Sequence, residues 1–273
     1  MTAPRPEATT LGLRHQRVQR LRRLLARRSA RQAERCFVVE GSKLLNEALD
    51  AGVPVEAVFV AAGTLVEAAD RAFAAGIRVF ELAPEVIQRV ADTATAQPIM
   101  AVVPYVDAPL ASLCRADFLV VGVDVRDPGN AGTMLRTAEA AGAGGVVWCD
   151  GSVDVFNPKT VRASAGSLFH VPVVAGGSPV EVLAEMASWG VQRLATTASG
   201  GHDYAEVDLT GPLAIVVGNE ANGLPPSVEN LVDETVTIPM AGRTESLNVG
   251  MATAVLCFEV ARQRRHAVAG VGS

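Results

Sequence analysis

The four cysteines of this 273-residue chain lie far from one another and form no CxxC pair. This spacing argues against a disulfide scaffold and a zinc site, and it is typical of reduced, mostly buried thiols. No apolar stretch is long enough to cross a bilayer without charged or turn residues, and no apolar signal core follows the N-terminal arginines. We therefore expect a soluble, cytoplasmic protein with no metal site and no membrane contact.

Charged residues are sparse, at 19% of the chain, whereas hydrophobic residues make up 49%. This composition excludes an intrinsically disordered protein and is sufficient for a full hydrophobic core. A chain of this length forms one large domain or two ordinary ones.

Basic residues are concentrated at the N-terminus, although the whole chain has a net charge of −5. Residues 1–43 contain eleven Lys and Arg against three Glu, a net charge of +8, and the remaining 13 basic and 26 acidic residues give −13. The asymmetry suggests a basic arm that meets a polyanion such as RNA. The alternative is a solvated amphipathic helix, because Leu21, Leu24 and Leu25 recur at helical spacing among the arginines. The pattern alone leaves both interpretations open.

Strands alternate with helices along the chain, which predicts two α/β domains. The stretch 106–116 has no clear period and contains a proline, so we place the linker there and the domains at 1–107 and 116–273. About six parallel-type strands are expected in the second domain. Its helices include 133–142, 157–170 and 246–266. Open parallel sheets bind ligands at the carboxyl ends of their strands.

Two glycine-rich breaks at such strand ends lack the residues that hold nucleotide phosphates. The first reads RDPGNAG, and the second reads GNEANGLP from Gly218 to Pro225. The second has the glycine spacing of a Walker loop, but Leu224 and Pro225 replace the Lys and the Ser or Thr. The GxGxxG and GxSxG patterns are absent as well. These absences argue against kinases, hydride-transfer enzymes and hydrolases with a nucleophile elbow.

Three segments together resemble the motifs of a known enzyme family. They read DVRDPGNAGTMLRTAEAAG (124–142), VVGNEANGLP (216–225) and IPMAGRTESLNVGMATAVLCFE (238–259). In this order and spacing they closely resemble the signature motifs of the SpoU (TrmH-like) RNA ribose 2′-O-methyltransferases, within the SPOUT superfamily. The match spans about 118–265. The N-terminal part resembles the small RNA-binding domain of many family members, similar to the ribosomal L30e/L7Ae proteins, through FVVEGSKLLNEAL.

The resemblance implies a parallel sheet tied in a trefoil knot whose crossing loops bind S-adenosylmethionine. This donor has no phosphate, which accounts for a glycine-rich loop without a lysine. Gly218, Ile238 and Leu247 should line the adenosine pocket, and Gly218 should allow close approach of the backbone. The full set of cofactor-binding residues implied by the resemblance is Gly218, Asn219, Glu220, Ile238, Met240, Gly242, Leu247 and Asn248.

The same resemblance implies four catalytic residues, Asn130, Arg136, Ser246 and Asn248. Arg136 is expected to bind a phosphate bidentately and to stabilise the developing alkoxide, because a guanidinium is a poor general base. Taken without the resemblance, Arg136 would pair with Glu139, and Asn130 would cap the helix. Glu220 has two open interpretations, a structural carboxylate that accepts loop amides or a direct RNA contact. The family usually has serine where Gly250 stands, so this chain lacks that hydroxyl.

We expect RNA as the partner, and 23S rRNA before tRNA because of the separate N-terminal domain. The cations expected to bind it are Arg22, Arg23, Arg27, Arg28, Arg126, Lys159, Arg162 and Arg243. The last helix is more apolar than a surface helix requires, and the resemblance implies a homodimer on that side. Two alternatives remain open: a non-catalytic RNA-binding relative, and a SPOUT enzyme that methylates a base or a protein.

Overall fold

A computed structural model of the chain describes residues 10–91 and 96–270 and divides into two compact units. The first unit comprises the residues up to Val106 together with Phe156–Phe169. The second comprises Asp107–Val155 and the residues from His170 onward. The second domain predicted from the sequence, 116–273, included residues 156–169, whereas their contacts lie in the first unit.

Strands and helices alternate as the sequence predicts, which confirms the α/β class. The strands are β1 (Cys36–Glu40), β2 (Ala57–Ala61), β3 (Arg78–Leu82), β4 (Ile99–Pro104), β5 (Phe118–Gly122), β6 (Gly145–Trp148), β7 (Val173–Ala175), β8 (Gln192–Thr196), β9 (His202–Asp203), β10 (Leu213–Val217) and β11 (Glu234–Thr237). The helices are α1 (Gln16–Ala26), α2 (Arg28–Glu34), α3 (Ser42–Asp50), α4 (Glu67–Ala74), α5 (Pro84–Val90), α6 (Pro128–Ala140), α7 (Pro158–Ser164), α8 (Pro179–Ser188), α9 (Pro226–Glu229) and α10 (Val249–Gly270).

The first unit contains a four-stranded mixed sheet in the order β1-β4-β2-β3. Strand β4 is antiparallel to β1 and to β2, and β2 is parallel to β3. The arginine-rich N-terminal helices belong to its core, because Val18, Leu21, Leu24 and Leu25 of α1 are buried. The amphipathic pattern therefore reflects packing on one face and arginines on the other.

Segment 156–169 is fixed to the first unit by aromatic packing and by an ion pair. The ring of Phe156 stacks on Tyr105 with centroids 3.8 Å apart, and it also contacts Phe37. Arg162 on α7 forms an ion pair with Glu40, whose side chain is 2% exposed. A buried carboxylate requires such a partner because burial of an isolated charge is costly.

The second unit contains a seven-stranded sheet in the order β7-β6-β5-β10-β8-β11-β9. Every strand pair in it is parallel. The central strands β5 and β10 are buried along their whole length, as their aliphatic composition predicts. The sequence indicated about six strands, and the two-residue strand β9 was missed because it is too short to give a periodic signal.

Two predicted helix starts were wrong. Helix α6 begins at Pro128, five residues before the predicted position, because Asp127 caps it and proline is suited to the first turn. Helix α10 begins at Val249, after a cap formed by Asn248.

Three of the four cysteines, Cys36, Cys149 and Cys257, are buried and Cys114 is exposed. Burial raises the pKa of the Cys149 and Cys257 thiols to about 12, which makes them unreactive at neutral pH. Within the described ranges, no helix is long and apolar enough to cross a membrane.

Candidate active site

A cavity of ≈ 790 Å³ lies in the second unit at the carboxyl ends of three neighbouring strands, β10, β8 and β11. This is where an open parallel sheet places its ligands. Four stretches supply most of its wall: 195–198 at the end of β8 and just beyond it, 218–224 after β10, 235–240 around the end of β11, and 245–249 before and at the start of α10. Among the described residues that line it, the charged side chains are Glu220, Glu229 and Glu245, and none is a lysine, arginine or histidine.

The loop 218–224 is closed by its own backbone. Asn219 and Gly223 exchange N–H···O bonds of 2.9 Å in both directions. The Asn219 side chain accepts hydrogen bonds from the amides of Ala221 and Asn222, and its Nδ2 donates to the Asp124 carbonyl at 2.9 Å. Asn219 therefore builds the loop and ties it to the segment after β5, although it was expected to bind the cofactor itself.

Gly218 is required by this loop for a steric reason. A Cβ atom at position 218 would lie 2.4 Å from the Gly223 carbonyl carbon and 2.5 Å from its oxygen. Backbone atoms cannot move away as a flexible side chain could. The glycine therefore permits close approach of the loop's own backbone, whereas the sequence-based interpretation invoked close approach of a ligand.

Three side chains from the three sequence motifs form a hydrogen-bonded relay, Glu220–Asn130–Asn248. Asn130 Nδ2 donates to Glu220 Oε1 at 2.9 Å, and Asn248 Nδ2 donates to Asn130 Oδ1 at 2.9 Å. The directions are fixed by chemistry, because a carboxylate only accepts and Asn248 Oδ1 is occupied by the amides of Gly250 and Met251. The relay therefore holds the two glycine-rich breaks and the start of α10 together.

Asn130 does not cap its helix. The N-cap is Asp127, whose Oδ1 accepts from the Asn130 amide at 2.8 Å. Asn130 lies in the first turn, and its side chain is free to join the relay. The capping interpretation was wrong because Asp127 and Pro128 together make the stronger helix start.

Arg136 lies on α6 two turns after the relay and is exposed. Within the described part of the chain, no residue forms a hydrogen bond or an ion pair with its guanidinium, so the expected alternative pair with Glu139 is absent. Ser246 lines the cavity and is exposed. The structure thus brings Asn130, Asn248 and Glu220 into direct contact, but it does not join Arg136 to them.

The expected cofactor residues divide into two groups. Seven of the eight line the cavity: Gly218, Asn219, Glu220, Ile238, Met240, Leu247 and Asn248. Gly242 is not among the lining residues. The stretch 195–198, which supplies the wall at the end of β8, was not predicted from the sequence. Thr237 Oγ1 holds this stretch through a 3.3 Å bond to the Ala198 carbonyl. The strand before it was predicted, but its position between β10 and β11 has no local sequence signal.

The expected RNA-binding cations lie in different surroundings. Arg22, Arg27 and Arg28 are exposed on the first unit, and Arg23 lies 3.7 Å from Glu34. Lys159 is exposed at the start of α7, whereas Arg162 of the same helix is committed to Glu40.

In the second unit, Arg243 is exposed and Arg126 Nε donates to Asp124 at 2.9 Å. The hydrogen bond and charge of Asp124, with a smaller contribution from the charge of Glu220, raise the pKa of the Arg126 guanidinium. Arg126 and Glu220 therefore lie within electrostatic reach of each other. In the described ranges, no three His, Cys, Asp or Glu residues are placed to hold a metal ion.

Residues 117–258 match the model of the SpoU rRNA methylase family, which covers most of the second unit and the whole relay. The chain belongs to this family. Residues 15–101 match the MRM3-like substrate binding domain, and the match covers most of the mixed sheet of the first unit.

The relatives of this SpoU-family chain include two named rRNA enzymes. The 23S rRNA (guanosine(2553)-2′-O)-methyltransferase RlmP of Bacillus subtilis is 36% identical over 82% of this chain and 88% of its own length. The 23S rRNA (uridine(2479)-2′-O)-methyltransferase of Streptomyces viridochromogenes is 33% identical over 95% of this chain and 94% of its own.

The fold is likewise similar to that of a solved family member. The crystal structure of the SpoU methyltransferase AviRb from Streptomyces viridochromogenes in complex with AdoMet superimposes with a TM-score of 0.84. It is 32% identical to this chain, and the match covers 92% of this chain and 99% of that one. The family predicted from the three motifs is thereby confirmed, whereas the trefoil knot stays a prediction.

Proposed function

We propose that this SpoU-family enzyme transfers the methyl group of S-adenosylmethionine to the ribose 2′-hydroxyl of a nucleotide in 23S rRNA. The observation that carries the proposal is the cavity at the carboxyl ends of β10, β8 and β11, with the Glu220–Asn130–Asn248 relay at its wall. Membership of the family and the two named relatives support the reaction and the choice of rRNA.

The residues of the cavity fit this methyl donor. The described residues that line it include three carboxylates and no cation, which disfavours a phosphorylated cofactor and suits a sulfonium. The apolar side chains of Ile238, Leu247 and Leu256 provide surface for an adenine ring. When bound, the donor supplies an electrophilic methyl group. The chain has to place the ribose oxygen in line with that group and to assist removal of its proton.

Arg136 is proposed to hold the phosphate next to the target ribose and to stabilise negative charge on the 2′-oxygen. Its unpaired, exposed guanidinium supports this role, because a planar fork binds phosphate bidentately. Asn130 and Asn248 are proposed as positioning residues, since their mutual hydrogen bond and the bond to Glu220 occupy most of their polar atoms. Ser246 is proposed to contact the ribose from the cavity wall.

The exposed arginines Arg22, Arg27 and Arg28 of the first unit are proposed to bind rRNA phosphates, with Arg23, Lys159 and Arg243 as further contacts. We also propose a homodimer formed on α10, where Met251 and Phe258 are 63% and 48% exposed. Because ribosomal RNA is the proposed substrate, we place the enzyme in the cytoplasm.

The decisive experiment is mass spectrometry of rRNA and tRNA from a strain that lacks the gene and from its parent. One 2′-O-methylated 23S rRNA nucleotide should be lost in the deletion strain and restored by the gene. A loss confined to tRNA would favour the tRNA alternative. If purified protein binds S-adenosylmethionine but no nucleotide changes in either RNA, the proposed reaction is wrong. Failure to bind the donor would instead favour the non-catalytic relative.

A further inference from the structure

The methyl-transfer reaction requires a proton acceptor in addition to a phosphate clamp. The 2′-oxygen donates a lone pair to form the new C–O bond while the S–C bond breaks and its electron pair stays on sulfur. The hydroxyl proton must then leave for a base. Arg136 cannot accept it, because a guanidinium remains protonated in proteins. The base therefore has to be sought among the other groups at the cavity.

Glu220 is the carboxylate that the geometry singles out. Three carboxylates line the cavity, and among them only Glu220 belongs to the relay. Among the described residues, neither Glu229 nor Glu245 forms a hydrogen bond with Asn130 or Asn248. Glu220 Oε1 is held by Asn130 Nδ2 at 2.9 Å. Its Oε2 receives no hydrogen bond from the described residues, and the side chain is exposed at the cavity wall. Oε1 is thus held in a fixed orientation, whereas Oε2 is available to accept a proton.

We infer that Glu220 Oε2 accepts the 2′-hydroxyl proton as the methyl group is transferred. A carboxylate is sufficient for this step because the ribose oxygen becomes strongly acidic while its bond to the methyl carbon forms. The products are the 2′-O-methyl ribose, a neutral thioether and a protonated Glu220, which returns its proton to solvent. Asn130 orients the acceptor through its hydrogen bond to Oε1.

This inference rests on the proposed function, and the experiment separates the two. The variant Glu220→Gln keeps an oxygen that can accept from Asn130 but replaces the proton-accepting oxygen with an amide nitrogen. We expect the single-turnover rate of methyl transfer to fall by about 10²-fold or more, in the range of general-base catalysis. The dissociation constant for S-adenosylmethionine, measured by calorimetry, should change by less than threefold. Glu181→Gln, an exposed carboxylate on α8, should leave both quantities unchanged.

The pH profile and a conservative variant provide the second readout. The wild-type single-turnover rate should decrease on the acid side as one group is protonated, whereas the residual rate of Glu220→Gln should be independent of pH there. Glu220→Asp should recover part of the lost rate. A wild-type single-turnover rate in Glu220→Gln would overturn the inference while leaving the proposed function intact. The same holds if the rate of Glu220→Gln decreases at low pH in the same way as that of the wild type. Loss of donor binding with an unchanged rate at saturating donor would assign Glu220 to the cofactor. No transfer by the wild type would contradict the proposed function itself.

Discussion

At the scale of single residues, the site is organised by the hydrogen-bonding capacity of two asparagines. Asn130 donates to Glu220 and accepts from Asn248, and Asn248 also accepts from two helix amides. Each polar side-chain atom of the two asparagines therefore has a partner within the site. Arg136 has the opposite character, because its guanidinium is exposed and has no partner among the described residues. This contrast distinguishes Asn130 and Asn248, which position other groups of the site, from Arg136, which is available to bind a phosphate.

The variant Arg136→Lys tests the binding role. It keeps the positive charge but loses the planar fork, so a bidentate phosphate contact should fail. We expect single-turnover methyl transfer to fall by about 10²-fold, the effect of losing one preorganised transition-state donor. Donor binding by calorimetry should be unchanged, because Arg136 does not line the cavity. The matched control is Arg265→Lys at an exposed position of α10. Weakened donor binding with a normal rate of methyl transfer would show that Arg136 binds the donor and not an RNA phosphate.

At the scale of secondary structure, the sequence predicted the strands better than the helix ends. Aliphatic runs such as Leu213–Val217 require burial on both faces, which identifies a central strand. The starts of α6 and α10 depend on single capping side chains, Asp127 and Asn248, and were misplaced. The relay could not be predicted in detail, because its two hydrogen bonds join side chains that are 90 and 118 positions apart in the sequence. The wall at 195–198 depends on strand order, which is a long-range property.

Asn248 caps α10 and donates a hydrogen bond to Asn130, and two substitutions distinguish these roles. Asn248→Ala removes the cap of α10 and the bond to Asn130, so the free energy of unfolding should fall by about 1 kcal/mol and methyl transfer should fall as well. Asn248→Asp keeps a good cap but cannot donate to Asn130 Oδ1, and it places a second carboxylate near Glu220. We expect nearly unchanged stability in denaturant titration and at least a tenfold loss of single-turnover rate. Wild-type turnover in Asn248→Asp would show that the relay is dispensable.

The N-terminal helices cannot be removed as a detachable arm. Truncation of 1–35 would take away the buried Val18, Leu21, Leu24 and Leu25 and so disrupt the first unit. Some arginines are structural as well: Arg20 binds Glu34 and Glu56, and Arg31 donates to the Leu24 and Leu25 carbonyls. The proposed RNA contacts are therefore best tested by point substitutions at exposed positions.

The triple variant Arg22→Ala, Arg27→Ala, Arg28→Ala should weaken rRNA binding and reduce its salt dependence. Each lost phosphate contact changes the slope of log K against log salt by about 0.7–0.9, so three contacts change it by roughly 2–3. Filter binding of an rRNA fragment over a salt series measures the slope, and donor binding should not change. Arg78→Ala is the matched control, because Arg78 is exposed on β3 of the same unit. An unchanged slope in the triple variant would identify the arginine face as merely solvated.

At the scale of the whole molecule, α10 connects the cavity to an uncovered apolar surface. Ala252 and Leu256 on one side of the helix line the cavity, whereas Met251 and Phe258 are exposed on the other. Met251 and Phe258 are seven residues apart and so lie on one face, with the half-buried Val255 between them. A second copy seated on this face would therefore lie next to the cavity.

We expect the wild type to sediment as a dimer at micromolar concentration. The double variant Met251→Glu, Phe258→Glu should sediment as a monomer, because two carboxylates would have to be desolvated in the apolar interface. Leu65→Glu adds a negative charge at a residue that is 97% exposed in the first unit and should leave the dimer intact. Far-ultraviolet circular dichroism of the double variant checks that the chain remains folded. A wild type that stays monomeric, or a double variant that still dimerises, would exclude α10 as the interface.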